Sequence, residues 1–210
     1  MKEGVKQIEN EGGLAIVLLA AGSSSRMRQS KQLLLVDGKP LLLHAAEIAK
    51  KSDVEKVLVV LGAEGETHRQ TLNNLSVDVI MNPKWQTGMG SSLKAGLNHI
   101  IATDPKTAAV IVMVCDQPSL TTDQINSLIK KYNKSNKLLV ASAYSNTVGV
   151  PALFGRQLFG EILKLGDEEG AKKIIQNYPA EVVDFPEGSI DLDTPEDYKT
   201  FLQQQIKKIS

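Results

Sequence analysis

The chain has 210 residues, with 24 lysines plus arginines set against 24 aspartates plus glutamates, so its formal net charge is zero and its pI is about 6.8. That balance excludes charge-driven binding to nucleic acid or to a membrane surface as the main activity. Hydrophobic residues make up 42%, enough for a packed core, and the length suits one sizeable α/β domain.

Residues 1–13, MKEGVKQIENEGG, read as a polar N-terminal segment with no apolar stretch of signal-peptide length. No run in the chain approaches the roughly 18 apolar residues of a membrane span, so neither membrane nor secretory targeting is expected. Residues 14–210 read as a single domain. LAIVLLA (14–20) is a nearly continuous aliphatic run, the pattern of a strand covered on both faces. PLLLHAAEIAKK (40–51) predicts an amphipathic helix with Pro40 in its first turn. VEKVLVVLG (54–62) and VDVIM (77–81) read as strands, SSLKAGLNHIIA (91–102) as a helix, and AAVIVMVC (108–115) as a second buried strand. TTDQINSLIKKY (121–132) is a helix with Thr121 or Thr122 as N-cap, and KLLVASAY (137–144) is a strand. The stretch from 145 to 190 is less regular and leaves room for an inserted subregion. TPEDYKTFLQQQIKKI (194–209) closes the chain as a helix capped by Thr194. This alternation predicts an α/β fold, a largely parallel sheet with helices on both faces.

In such a sheet, ligands bind beyond the carboxyl ends of the strands. The loop that leaves the first strand there reads LAAGSSSRMRQSKQLLL (19–35). Gly22 permits a tight turn, and Ser23, Ser24 and Ser25 add small side chains and backbone N–H donors, the makings of an anion-binding concavity. Arg26 and Lys31 can clamp separate oxygens, one as a planar fork and one as a point charge. The pattern suits a polyphosphate; the plain alternative is a solvated basic loop. It is neither G-x-x-x-x-G-K-S/T nor G-x-G-x-x-G, which argues against a P-loop kinase and a dinucleotide-dependent dehydrogenase.

Three further motifs follow. VMVCDQPSL (112–120) ends a buried strand in Asp116, where a divalent ion would be held opposite a phosphate loop, or where the side chain merely caps a turn. SIDLDTPEDY (189–198) supplies Asp191 and Asp193, on one face if extended, either to complete a metal site or to cap the last helix. NPKWQTGMGSSLKAGL (82–97) frees its backbone at Gly88 and Gly90 and starts a helix at Ser91 and Ser92, whose unpaired N–H groups suit a base edge or a phosphate. Trp85, the single tryptophan, either stacks on a base or packs, and packing is the commoner use. In GVPALFGRQLFGEILKLGDEEGAKKII (149–175), Gly149 and Pro151 are expected to shape a loop, with Phe154, Leu158 and Phe159 as core or dimer packing.

His44, His68 and His99 lack zinc spacing and read as structural or surface groups. The single cysteine, Cys115, excludes an internal disulfide, reads as an inert buried thiol and fits a reducing, cytoplasmic location. No G-x-S-x-G elbow is present, which argues against hydrolase chemistry.

LAAGSSSRMRQSKQLL resembles the L-A-A/G-G-x-S/G-x-R-M-G-x-x-K signature of the molybdenum-cofactor nucleotidyltransferases, with Arg28 where that family usually has glycine. The D-Q-P, D-x-D-T-P-E-D, N-x-x-W-x-x-G-M-x-x-S-L and G-x-P-x-L-F segments match in order, so the similarity spans roughly residues 14–201. The resemblance implies a three-layer Rossmann-like fold with a mostly parallel mixed sheet, of the nucleotide-diphospho-sugar transferase type. It implies that Leu19, Ala20, Ala21, Gly22, Ser23, Ser24, Ser25, Arg26 and Lys31 wrap a triphosphate, with Gly88, Ser91 and Ser92 beside the nucleotide. It places Mg²⁺ (or Mn²⁺) on Asp116 and on Asp193, ranked above Asp191, and gives Arg26, Lys31 and Asp116 the catalytic roles. The 149–175 region, with Gly149 and Pro151, is expected to face the acceptor. There the family form is G-H-P-x-L-F followed by G-D-x-G-A, whereas this chain has Val150 for the histidine and one extra residue between Asp167 and Gly170.

LAAG in place of LAGG leans toward CTP over a guanine nucleotide. The expectation is therefore CMP transfer from CTP to molybdopterin with release of pyrophosphate. The competing readings are a sugar- or polyol-phosphate nucleotidyltransferase and a non-catalytic nucleotide-binding partner in molybdoenzyme maturation.

Overall fold

The computed structural model describes residues 12–27 and 29–209. Most of the polar N-terminal segment, residues 1–11, and Arg28 lie outside the described residues.

In chain order the strands are β1 (Leu14–Ala20), β2 (Leu35–Val36), β3 (Lys39–Pro40), β4 (Lys56–Leu61), β5 (Asp78–Met81), β6 (Ala109–Val114), β7 (Leu139–Tyr144), β8 (Thr147–Gly155) and β9 (Glu181–Asp184). The helices are α1 (Leu41–Lys51), α2 (Gly65–Gln70), α3 (Met89–Thr103), α4 (Thr122–Lys134), α5 (Phe159–Leu163), α6 (Ala171–Asn177) and α7 (Pro195–Ile209). Seven strands form one sheet in the order β5-β4-β1-β6-β8-β7-β9, while β2 and β3 make a small separate ribbon. The β5-β4-β1-β6 half is parallel throughout. β8 runs antiparallel to both β6 and β7, and β9 returns parallel to β7. The mostly parallel mixed sheet and its three layers are thus as expected.

Alternation along β1 divides the core. Ile16 and Leu18 pack on one face with Leu42 and Ala46 of α1 and Ile125 and Leu128 of α4. Ala15 and Val17 pack on the other with Leu93 and Leu97 of α3, Phe159 and Ile162 of α5, and Ile174 of α6. Both faces of β1 are therefore dry, which is why its sequence is uniformly aliphatic.

The 145–190 stretch is no inserted subregion. β8, α5, α6 and β9 complete the main sheet and its helical layer. Gly149 and Pro151 sit inside β8, not in a loop, and the β7–β8 register shifts between Ala141 and Ser142. An irregular ladder accommodates a residue without an N–H, and it also hides the strand from a periodicity reading. Pro40 likewise ends β3 just ahead of α1 and is not in the first helical turn.

Two caps decide the role of nearby residues. The Thr121 hydroxyl accepts from the Gln124 N–H at 3.2 Å and starts α4. At α7, Thr194 N–H donates to the Asp197 carboxylate at 2.8 Å, and the Asp197 N–H returns to the Thr194 hydroxyl at 3.2 Å. This reciprocal box satisfies the helix end by itself, so Asp191 and Asp193 are not needed as caps.

A third, smaller core joins Met27 from the loop after β1, Leu34, Val36 and Leu41, and Leu192 and Phe201 from the C-terminal segment. Among the described residues, it is the only one of the three that contains residues of both the loop and the DLD segment. Leu192 is fully buried there. Leu192→Ala is expected to lower the unfolding free energy by about 2–5 kcal/mol in urea titrations, and a loss below about 1 kcal/mol would show this cluster to be loosely packed.

Candidate active site

The loop after β1 rests on a buried glutamine. Gln32, at 0% exposure, begins just after Lys31 in a short 3₁₀ turn, Lys31–Leu33. Its amide nitrogen donates to the carbonyls of Ala20 (3.2 Å) and Gly22 (2.8 Å). Its carbonyl oxygen accepts from the hydroxyls of Ser24 (3.0 Å) and Ser30 (2.9 Å). Ser24 adopts a left-handed backbone (φ 55°), and its hydroxyl also accepts from the Lys31 N–H at 3.0 Å. Gly22, Ser23 and Ser25 are exposed, whereas Met27 is buried and pins the loop from below.

The charged residues meet above this platform. Lys31 Nζ lies 2.5 Å from Asp116 Oδ2 and 3.2 Å from Asp193 Oδ1. Arg26 Nη2 lies 3.0 Å from the other oxygen of Asp193. The backbone explains the convergence: the Leu192 N–H donates to the Asp116 carbonyl at 3.0 Å, tying the C-terminal segment to the end of β6. With Leu192 turned into the third core, its neighbours Asp191 and Asp193 are left on the other side.

The Lys31 side chain is mostly buried, which disfavours its charge, but the Asp116 carboxylate more than offsets this and raises its pKa. Asp191 behaves in the opposite sense. Although much of the residue reaches solvent, its carboxyl is pushed up to about 6, first by local desolvation and then by the carboxylates of Asp116 and Asp193. Cys115 is buried, and that burial pushes its thiol up to about 12, so it stays protonated and inert, as the sequence suggests.

A cavity of about 250 Å³ opens beside these groups, lined by Leu19, Ala20, Ala21, Gly22, Lys31, Gln32, Trp85, Gly88, Met89, Ser92, Val114, Cys115 and Asp116. Of the residues proposed for the nucleotide, Leu19, Ala20, Ala21, Gly22, Lys31, Gly88 and Ser92 are gathered there, while Ser23, Ser24, Ser25 and Arg26 lie outside the lining. Ser91 also lies outside it: it is 5% exposed, its hydroxyl accepts from Asn82 and donates within the α3 entry, to the Lys84 or Gly88 carbonyl. At the start of α3, Gly88, Met89 and Ser92 border the cavity while one N–H is spent inside the fold. The helix begins at Met89, and the Ser91 N–H already reaches the carbonyls of Gly88 and Asp167.

The segment around Asp167 therefore clasps α3, where the sequence placed it toward the acceptor. Asp167 binds Lys94 (2.7 Å) and the Thr87 hydroxyl (2.8 Å), and these bonds lower its pKa. Gly88 (φ 127°) and Gly90 lie against the backbone of residues 166–169, and a Cβ at either would fall within 2.4 Å of a carbonyl oxygen there.

On the opposite side, Gly149 and Pro151 are buried and do not line the cavity. The Tyr144 hydroxyl lies where a Gly149 Cβ would be, at 2.2 Å. Its pKa is raised by burial and then by the Asp191 charge, which puts Tyr144, not Gly149 or Pro151, next to the carboxylates. Gln117 braces this wall by donating to the carbonyls of Val150 (3.2 Å) and Gly188 (3.0 Å). Sequence reasoning missed Gln32, Tyr144 and Gln117. Gln32 carries a sequence signal as a polar residue directly after the motif lysine and before an apolar run, and Gln117 as the middle residue of D-Q-P; Tyr144 carries none.

The model of the MobA-like NTP transferase domain matches residues 16–182, most of the chain and all of the loop and β6 motif described above. The chain belongs to the MobA-like NTP transferase family. It is 29% identical over 171 residues to a bifunctional protein GlmU of Legionella pneumophila (strain Lens), covering 78% of this chain but only 36% of that relative. The chain thus spans about a third of the length of the curated relatives it matches. Among solved structures, Rv0371C of Mycobacterium tuberculosis H37Rv in complex with manganese superposes with a TM-score of 0.77 at 24% identity, covering 91% of this chain and 98% of that one. Molybdopterin-guanine dinucleotide biosynthesis protein A of Archaeoglobus fulgidus does so with 0.69 at 15% identity, covering 92% of this chain and 99% of that one. At these identities the structures establish the common fold.

The donor set fits a hard divalent cation. Among the described residues no three acidic, histidine or cysteine side chains form a self-sufficient cage. Asp116 and Asp193 nevertheless direct oxygens at one cation, the Lys31 ammonium. Mg²⁺ typically takes one or two carboxylates and completes its shell with phosphates and water.

Asp191 gives a pH-dependent signature. A carboxyl raised from 3.8 in the unfolded chain to about 6 in the folded one keeps its proton longer when folded, so stability falls as pH rises through that window. Asp191→Asn is expected to raise the thermal midpoint above pH 6 and to leave it nearly unchanged at pH 4. Equal effects at both pH values in scanning calorimetry would refute this origin.

Proposed function

We propose that the chain is a divalent-metal-dependent nucleotidyltransferase that transfers CMP from CTP to the terminal phosphate of molybdopterin and releases pyrophosphate. The observation that carries this reading is the meeting of Arg26 and Lys31 with Asp116 and Asp193 at the mouth of the cavity beneath the glycine–serine loop. Family membership supports the reaction class, and alanine at position 21, within LAAG, supports CTP as the donor.

A phosphate monoester is already ionised at neutral pH, so no protein nucleophile or strong base is required. The demand is for positioning and for charge neutralisation as pyrophosphate departs. The backbone N–H groups of the Gly22–Ser25 loop receive the β- and γ-phosphates. Lys31, held on the platform by its own N–H to Ser24, and Arg26 stabilise the growing negative charge. The cavity wall of Trp85, Met89, Ser92 and Val114 takes the nucleoside, and Tyr144 and Asp191 border the acceptor side. Mg²⁺ or Mn²⁺ held by Asp116 and Asp193 would supply Lewis-acid neutralisation of phosphate oxygens.

A second reading, transfer to a sugar or polyol phosphate, is favoured by the acceptor side. Tyr144 with Asp191 is a hydrogen-bonding wall suited to hydroxyl groups, and Val150 occupies the position where the related family has histidine.

Pyrophosphate release from each of the four triphosphates, with Mg²⁺ or Mn²⁺ and either molybdopterin or a panel of sugar phosphates, separates the two. Turnover with CTP and molybdopterin is expected. Turnover only with a sugar phosphate selects the second reading, and nucleotide binding without turnover under any pairing makes the chain a binding protein. Asp116→Asn and Lys31→Met are each expected to reduce kcat/KM on the order of 10²- to 10³-fold, and full activity in either would remove the role assigned to it.

A further inference from the structure

We infer that His68 and Ser30 are positioning residues that hold the triphosphate loop through Gln32 without touching the nucleotide. The inference rests on the reading of that loop as a phosphate cradle, and it adds a residue from α2, outside every motif of the loop. His68 is 1% exposed and does not line the cavity. Its Nε2 lies 2.6 Å from the Ser30 hydroxyl, 38 positions away in sequence.

The hydrogen count fixes the direction of each bond. Both amide hydrogens of Gln32 go to the Ala20 and Gly22 carbonyls. Its oxygen faces the hydroxyls of Ser24 and Ser30, each with a single hydrogen to give. Ser30 therefore meets the imidazole as an acceptor, and His68 donates from Nε2. Burial lowers the His68 pKa, which favours the neutral ring, and Nδ1 has no hydrogen-bond partner among the described residues.

This chain of bonds is directional. Free carbonyls at Ala20 and Gly22 would repel a polyphosphate. Bound to Gln32 they are withdrawn, and the trans peptide turns the following N–H groups, of Ala21 and Ser23, the opposite way. His68 anchors Ser30, Ser30 and Ser24 orient the Gln32 amide, and the amide sets the loop.

The test compares CTP with CMP, which lacks the β- and γ-phosphates, by quenching of the single Trp85. His68→Leu is expected to weaken CTP binding by roughly tenfold, the worth of about one hydrogen bond, while CMP affinity changes less than about twofold. His68→Gln, whose amide nitrogen reaches about as far as Nε2, is expected to restore most of the loss, and Ser30→Ala to reproduce it. An unchanged CTP-to-CMP ratio in both His68→Leu and Ser30→Ala overturns the inference, as does equal weakening of the two ligands. Should His68→Leu fail to fold, Ser30→Ala decides alone by the same ratio. Wild-type protein that binds none of the four triphosphates overturns the loop assignment itself, and this inference with it.

Discussion

The site depends on one ammonium group placed between two carboxylates that arrive from the middle and the end of the sequence. Lys31 binds Asp116, 85 residues away, and Asp193, 162 residues away. A mostly buried lysine must be neutralised or lose its proton, so its presence obliges the end of β6 and the segment before α7 to meet the loop. Arg26 adds a more exposed contact to Asp193, worth little to stability but of the right sign for a polyanion.

Apolar packing supplies the precision that charge alone lacks. Met27 and Leu192 share the third core, and the Leu192 N–H is bonded to the Asp116 carbonyl. Arg26, next to Met27, and Asp193, next to Leu192, thereby meet. The Thr194–Asp197 box ends α7 without recruiting Asp191 or Asp193, so both carboxylates remain with the site. Local desolvation first, and then the carboxylates of Asp116 and Asp193, raise the Asp191 pKa.

Two kinds of support surround this centre. Beneath the loop, Gln32 ties its amide to the Ala20 and Gly22 carbonyls, and the Ser24 and Ser30 hydroxyls orient that amide. Beside it, the clasp of Asp167 on Lys94 and Thr87 holds the start of α3 against the 166–169 segment. The second support was not legible in the sequence, because glycines beside a helix start suit an anion and suit a close backbone approach equally well, and Gly88 here borders the cavity and the 166–169 backbone at once.

The sequence by itself determined the parallel half of the sheet, its main helices, and the cationic loop with Asp116 and the Asp191–Asp193 pair. These follow from local periodicity and from residue types whose chemistry is legible without neighbours. Tertiary structure alone decided that β8 and β9 complete the sheet, since a glycine, a proline and a shifted register erase the period of two. It also decided that Ser91 is spent inside the fold, that Tyr144 covers Gly149, and that His68 reaches the loop. The reason is the same in each case: a hydrogen bond or a close contact between distant segments leaves no trace in the spacing of either one.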